Sequence, residues 1–124
     1  GFDIMKKDIL RLREECRAAG LPLVAYCIPK CNDIYTAIWE RLAPEQKAPG
    51  LYDRGKALRL TEHFLRDEHF PMVSVLDALK ANVSLGPVYY WRDGHLSEMG
   101  NAIVAEKLAE FLLENELKPL VAPQ

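Results

Sequence analysis

The six-residue run Leu23-Val24-Ala25-Tyr26-Cys27-Ile28 sets the tightest limit on the fold, because neither alternation of its side chains offers a charged face to water. A strand with one wet face alternates apolar and polar residues. A continuous apolar run instead suits a strand covered on both faces, as in parallel sheets flanked by helices. The flanks agree. Upstream, Met5, Ile9, Leu12, Cys16 and Ala19 recur at spacings of three and four, which predicts an amphipathic helix over residues 2–19. Gly20 suits the carboxyl-terminal cap of that helix, Pro22 discourages its continuation, and Pro29 ends the strand.

The alternation continues downstream. Asn32 or Asp33 can cap a second helix whose stripe is Ile34, Tyr35, Ile38, Trp39 and Leu42, broken by Pro44. Residues 43–52 hold two prolines and a glycine and read as a surface loop. A third helix is predicted over residues 54–67, burying Leu58, Thr61, Phe64 and Leu65. Residues 70–76 are the second strand candidate, followed by a short helix over 77–80. Residues 82–87 are turn material, residues 88–91 are extended, and Asp93-Gly94 turns the chain. Ser97 then caps a last helix that buries Met99, Ile103, Val104, Leu108, Phe111 and Leu112. Pro119 and Pro123 sit in a tail expected to fray.

Helices alternating with covered strands define an α/β architecture of parallel strands and right-handed crossovers. Only about two strands are evident, against the roughly four to six of a typical sheet. Residues 1–124 are therefore expected to form a single α/β domain or the carboxyl-terminal portion of a larger one. An N-terminal portion or a homo-oligomeric partner would complete its sheet. No internal repeat or low-complexity segment is evident.

Composition narrows the partners. With 49% hydrophobic and 27% charged residues, the chain resembles an ordinary globular domain. Sixteen basic residues against 18 acidic ones give a formal charge of -2, which argues against a nucleic-acid or anionic-membrane partner. No stretch reaches the roughly 18 apolar residues of a membrane span. The three cysteines, Cys16, Cys27 and Cys31, match no disulfide framework, zinc knuckle or redox motif, and a packing role is expected for them. His63 and His69 lack further ligands at matched spacing and are expected to face solvent.

Chemistry concentrates between Tyr89 and Ser97. An Asp and a His two residues apart, Asp93 and His95, at the mouth of an amphipathic helix suit a general base and its orienting carboxylate. Asp-Gly is also ordinary turn chemistry, which needs no catalytic role. Tyr90 and Trp91, beside the pair, are candidate substrate-binding walls, whereas Trp39 at helical spacing is expected in the core. Ser97 is expected to cap a helix rather than attack a substrate, and neither Ser74 nor Ser84 sits in a nucleophile motif. A thiolate pair of Cys27 or Cys31 with His95 is a further arrangement that the end of a parallel strand allows.

The segment DGHLSEMGNAIVAEKLAEFL, residues 93–112, resembles the last block of the SGNH (GDSL-type) hydrolases, where an Asp and a His precede a helix with glycine in its first turn. The upstream order, helix, Gly20-Leu21-Pro22, hydrophobic strand and Pro29, resembles the late strand and loop of that flavodoxin-like fold. The resemblance implies a serine esterase or O-acetyltransferase acting on an ester, such as an O-acetylated carbohydrate. It implies that His95 takes the proton from a serine hydroxyl, that Asp93 holds the imidazole, and that Gly100 lets the last helix lie close to the neighbouring loop. No metal or organic cofactor is implied.

Two departures shape the expectation. The family's usual Asp lies three residues before the His, where Arg92 stands here; the Asp-x-His arrangement resembles the branch that acts on polysaccharide acetyl groups. The Gly-Asp-Ser block and the glycine and asparagine blocks, which supply nucleophile and oxyanion donors, do not occur in residues 1–124. The expected function is thus the C-terminal part of an SGNH-like esterase, supplying His95 and Asp93. The alternatives are a catalytically inactive α/β binding or interaction module and, through fold likeness alone, a flavodoxin-like regulatory or ligand-binding domain.

Overall fold

A computed structural model of the chain describes residues 1–42, 44–47 and 53–115. Helix α1 (Phe2–Ala18) ends as its sequence directs. Gly20 takes φ 65°, its N–H bonds to Arg17 O, and Leu21 N–H reaches back to Cys16 O. This left-handed cap satisfies the last carbonyls and favours a residue without Cβ. Helix α4 (Lys56–Asp67) ends in the same way with His69 at φ 57°, and Phe70 N–H bonds to Leu65 O. Phe70 then folds back on Phe64, ring centroids 6.4 Å apart.

Left-handed backbone at an L-residue costs about 1–2 kcal/mol, and the His69 side chain is exposed to solvent. Glycine removes that strain but is freer when unfolded. His69→Gly is therefore expected to raise stability by about 0.5–1 kcal/mol, read as a higher urea midpoint. A lower midpoint would mean that the imidazole holds the turn.

Each of these helices hands on to a strand. β1 (Ala25–Cys27) and β2 (Met72–Ser74) pair in parallel, with Ala25 opposite Met72, Tyr26 opposite Val73 and Cys27 opposite Ser74. The strands are shorter than the predicted 23–28 and 70–76. Pro71 and Pro29 lack the amide N–H that a longer ladder would use. Successive residues point to opposite faces. Ala25, Cys27 and Met72 join a cluster with Phe64, Leu65 and Phe70, to which α1 adds Phe2, Ile9 and Leu10. Val73 belongs to the larger core with Ile34, Val75, Leu79, Val88, Tyr89, Ile103 and Val104. Helix α4 packs on both strands, and α6 (Glu98–Glu114) reaches β2. The architecture is α/β, a small parallel sheet with flanking helices. Arg13 ties α1 to the end of α4, with Nη1 donating to Glu68 O at 2.9 Å and the guanidinium 4.9 Å over the Phe70 ring.

Several expectations fail locally. The predicted second helix is two pieces, α2 (Cys31–Ile34) and α3 (Thr36–Glu40), because Tyr35 is extended at φ -94° and ψ 106°. The cap of α2 is Lys30, whose N–H donates to Asp33 Oδ2 at 3.0 Å, so neither Asn32 nor Asp33 is the N-cap. Trp39 is half-buried rather than core. Helix α4 starts two residues later than predicted, behind Gly55 at φ 71°. Helix α5 (Leu76–Ala81) is slightly longer than predicted. α1 buries none of its predicted stripe, and Leu112 of α6 is exposed, because a sheet two strands wide cannot cover them. Pro44–Lys47 form a 3-10 turn. The rest of the predicted loop, residues 43 and 48–52, and the tail with Pro119 and Pro123 lie outside the described residues. Among the described residues no helix is long and apolar enough to cross a membrane.

Candidate functional site

Residues 87–97 form a hairpin that carries both candidate catalytic side chains. Tyr89 and Leu96 make an antiparallel bridge, flanked by Tyr90 N–H on His95 O at 2.8 Å and Ser97 N–H on Val88 O at 3.0 Å. Gly94 N–H bonds to Tyr90 O at 3.1 Å and closes the turn. Its φ of 72° explains why glycine follows Asp93.

The base of the hairpin is dry. Val88 and Tyr89 are buried, Val88 N–H donates to Tyr35 Oη at 2.8 Å, and Tyr89 Oη donates to Pro29 O. Tyr35, the extended residue between α2 and α3, thus accepts a hydrogen bond from the base of the hairpin. Burial, with smaller contributions from Cys31, Asp33 and Tyr35, pushes the Tyr89 phenol well above its ordinary value. A raised folded-state value means that the native protein keeps the proton that the unfolded chain loses above about pH 10. The stability contributed is whole below that pH and declines as pH rises through and beyond it. Urea titrations between about pH 9 and 11 are expected to show this decline, flattened in Tyr89→Phe. An equal slope in both proteins would acquit the phenol.

Ser97 caps α6 as predicted. Its Oγ donates to Pro87 O at 2.5 Å and accepts Gly100 N–H at 3.1 Å, so both capacities of the buried hydroxyl are used. Gly100 meets the hairpin directly, since a Cβ there would lie 2.1 Å from Val88 O and 3.0 Å from Leu96 Cδ2. The last helix therefore lies directly against the hairpin.

At the tip, Asp93 Oδ1 accepts His95 N–H at 3.0 Å and lies 3.5 Å from His95 Nδ1. The Asp93 and His95 side chains are 57% and 83% exposed. With Nδ1 turned to the carboxylate, Nε2 is left without a partner among the described residues. Trp91 is exposed and stacks on Tyr35 with centroids 4.8 Å apart at 32°, and Tyr90 is exposed beside it. Both rings are surface groups near the pair.

Of the other nucleophile and ligand candidates, Ser74 and His63 have acidic partners of their own. All three cysteines are half-buried and unpaired with one another. Burial and Glu62 push the Cys27 thiol up, the reverse of an activated thiolate. Cys31 Sγ lies beside the turn, 3.9 Å from where a Cβ on Gly94 would stand. Ser74 Oγ donates to Glu62 Oε1 at 3.0 Å, and Ser84 is exposed in a turn. His63 Nε2 sits 3.3 Å from Asp67 Oδ2, one turn along α4, and both His63 and His69 face solvent as expected. Among the described residues, no three His, Cys, Asp or Glu side chains assemble to hold a metal.

Sequence reasoning missed Asp33 as a buried carboxylate. Its Oδ2 holds Lys30 N–H, while its buried Oδ1 has no hydrogen-bond partner. With Ile28, Lys30, Lys56 and Thr61 it lines a cleft of about 200 Å³ at the carboxyl end of β1. Arg54 braces the segment from Nε to Asn32 O at 2.8 Å and from Nη2 to Asp33 O at 3.2 Å. His95 does not line this cleft. Comparison of the chain with protein-family models, with curated proteins and with solved structures gives no match.

Proposed function

We propose that the chain supplies a general base, His95, and its orienting carboxylate, Asp93, to an SGNH-like serine esterase or O-acetyltransferase. The nucleophilic serine and the oxyanion donors are carried outside residues 1–124. The same reading takes the small sheet as part of a flavodoxin-like three-layer domain. The observation that carries it is the 3.5 Å approach of Asp93 Oδ1 to His95 Nδ1, which leaves Nε2 open at the hairpin tip. Nε2 accepts the serine proton as Oγ attacks the ester carbonyl, and Asp93 favours the resulting imidazolium. The imidazolium then protonates the leaving alcohol, giving an acyl-serine. Water or a sugar hydroxyl attacks that intermediate as Nε2 again takes the proton; the bond from the acyl carbon to serine Oγ then breaks, and Nε2 returns the proton to Oγ. The exposed faces of Tyr90 and Trp91 suit an acetylated carbohydrate beside the reacting carbonyl.

A second reading, an interaction module without catalysis, draws on the exposure of His95 and its separation from the cleft at β1. The test is hydrolysis of 4-nitrophenyl acetate by the complete natural polypeptide that carries these residues, against its His95→Ala variant. Equal turnover removes the base assignment and leaves the interaction module.

A further inference from the structure

We propose that the outer edge of β1 is a docking site for one more strand, supplied from outside residues 1–124, apolar on both faces and parallel to β1. Ala25 N–H bonds to Pro71 O at 2.9 Å. In a parallel ladder, alternate residues turn both backbone groups to the same neighbour. Ala25 and Cys27 thus address β2, while Val24, Tyr26 and Ile28 turn N–H and C=O to the opposite edge, where no described strand lies. Side chains along that stretch are uncovered too: Tyr26 is 45% and Ile28 51% exposed. An apolar edge of this kind is a template for strand addition.

The direction of the occupant comes from a pattern the chain uses twice. Helix, left-handed residue, apolar residue, proline and strand recur as α1, Gly20, Leu21, Pro22, β1 and as α4, His69, Phe70, Pro71, β2. In the second instance α4 lies across β1 and β2, buries Leu58, Phe64 and Leu65, and is closed by Phe70 at 7% exposure. In the first, α1 buries no residue, Leu21 is 55% exposed, and Ile4, Met5, Ile9 and Leu12 line an open apolar groove. A helix that feeds a parallel strand packs over that strand and its parallel neighbour. β1 is that neighbour for α4, and among the described residues α1 has none. A strand on the outer edge of β1 gives α1 what β1 gives α4. Two copies of the chain meeting edge to edge about a two-fold axis normal to the sheet would run antiparallel and would not. The added strand would end beside Pro29, whose carbonyl holds Tyr89, so its carboxyl end meets the hairpin of Asp93 and His95. The inference stands on the sheet and does not depend on the base assignment of His95.

Amide hydrogen exchange and cross-strand NOEs on the complete natural polypeptide test it. The Tyr26 and Ile28 amides are expected to exchange at least about 100-fold more slowly than unstructured amides. Tyr26 should show the Hα–HN contacts of a parallel pair with a residue outside 1–124. Unprotected Tyr26 and Ile28 beside protected Ala25 and Cys27 would overturn the proposal. So would Hα–Hα contacts, which mark an antiparallel neighbour such as a second copy. Tyr26→Pro deletes an outward N–H without removing a bond to β2, and should deprotect Ile28 while Cys27 stays protected. Because proline also stiffens β1, Leu12→Glu is the second variant. It places a charge on a side chain exposed in the described chain. A thermal midpoint lowered by several degrees supports the added strand, and an unchanged midpoint overturns it.

Discussion

An alanine at position 100 is expected to destabilise the chain by about 2–3 kcal/mol, measured as a lowered urea midpoint at constant slope. The sign opposes the usual rule, since glycine to alanine within a helix normally gains about 1 kcal/mol. Here the new carbon would stand 2.1 Å from Val88 O, a backbone atom that cannot rotate away. Val88 O also accepts Ser97 N–H, and Ser97 Oγ accepts the Gly100 amide. Backing α6 off the hairpin therefore strains or breaks these bonds together, each worth about 1 kcal/mol. The loss should be larger than for Asn101→Ala, one position along on the exposed side of the helix. An alanine variant as stable as the parent would show that α6 does not rest on Val88.

The second large effect concerns turnover. In the complete natural polypeptide, His95→Ala is expected to lower kcat for 4-nitrophenyl acetate by about 10³-fold, the range of a general base acting on a serine. KM should barely move, because a general base acts on the proton in the transition state rather than on bound substrate. Asp93→Ala should cost less, about tenfold to a hundredfold, since its carboxylate is exposed and shares Oδ1 between the backbone and the ring. Neither substitution should shift the thermal midpoint by more than a few degrees, because an exposed pair contributes little to stability. That separation of activity from stability distinguishes a base from a turn. If both variants turn over the ester as the parent does, the hairpin is structural.

The parts of this fold legible in the sequence were those decided by neighbours in the chain. Gly20 and Ser97 cap where their local chemistry requires, and the unbroken apolar run through Tyr26 paired in parallel, although Tyr26 and Ile28 stay exposed where a strand covered on both faces would bury them. Gly94 supplied its turn after Asp93. Features decided by distant partners were hidden. Tyr35 sits at good helical spacing, yet its backbone is extended and its hydroxyl is used by Val88 N–H, 53 residues away. The stripe of α1 identified an apolar side, but periodicity does not state how much sheet lies beneath, and Leu12 is exposed. His69 looked like a surface histidine and is also the left-handed residue of a helix cap. For the candidate site, the proximity of Asp93 to His95 followed from their spacing. Their exposure, and the Tyr35 ring under Trp91, did not.

The anchorage of the hairpin decides which parts of the molecule can be handled without disturbing its tip. His95 hangs from three fixed points, Pro29 through Tyr89, Tyr35 through Val88, and the first turn of α6 through Ser97 and Gly100. None of them involves the far end of α6, where Leu112 and Leu113 are exposed. A label placed there sits at the opposite end of α6 from the turn that Ser97 and Gly100 anchor. A fluorophore or surface tether at that end would attach through side chains that are already exposed, Leu112 and Leu113.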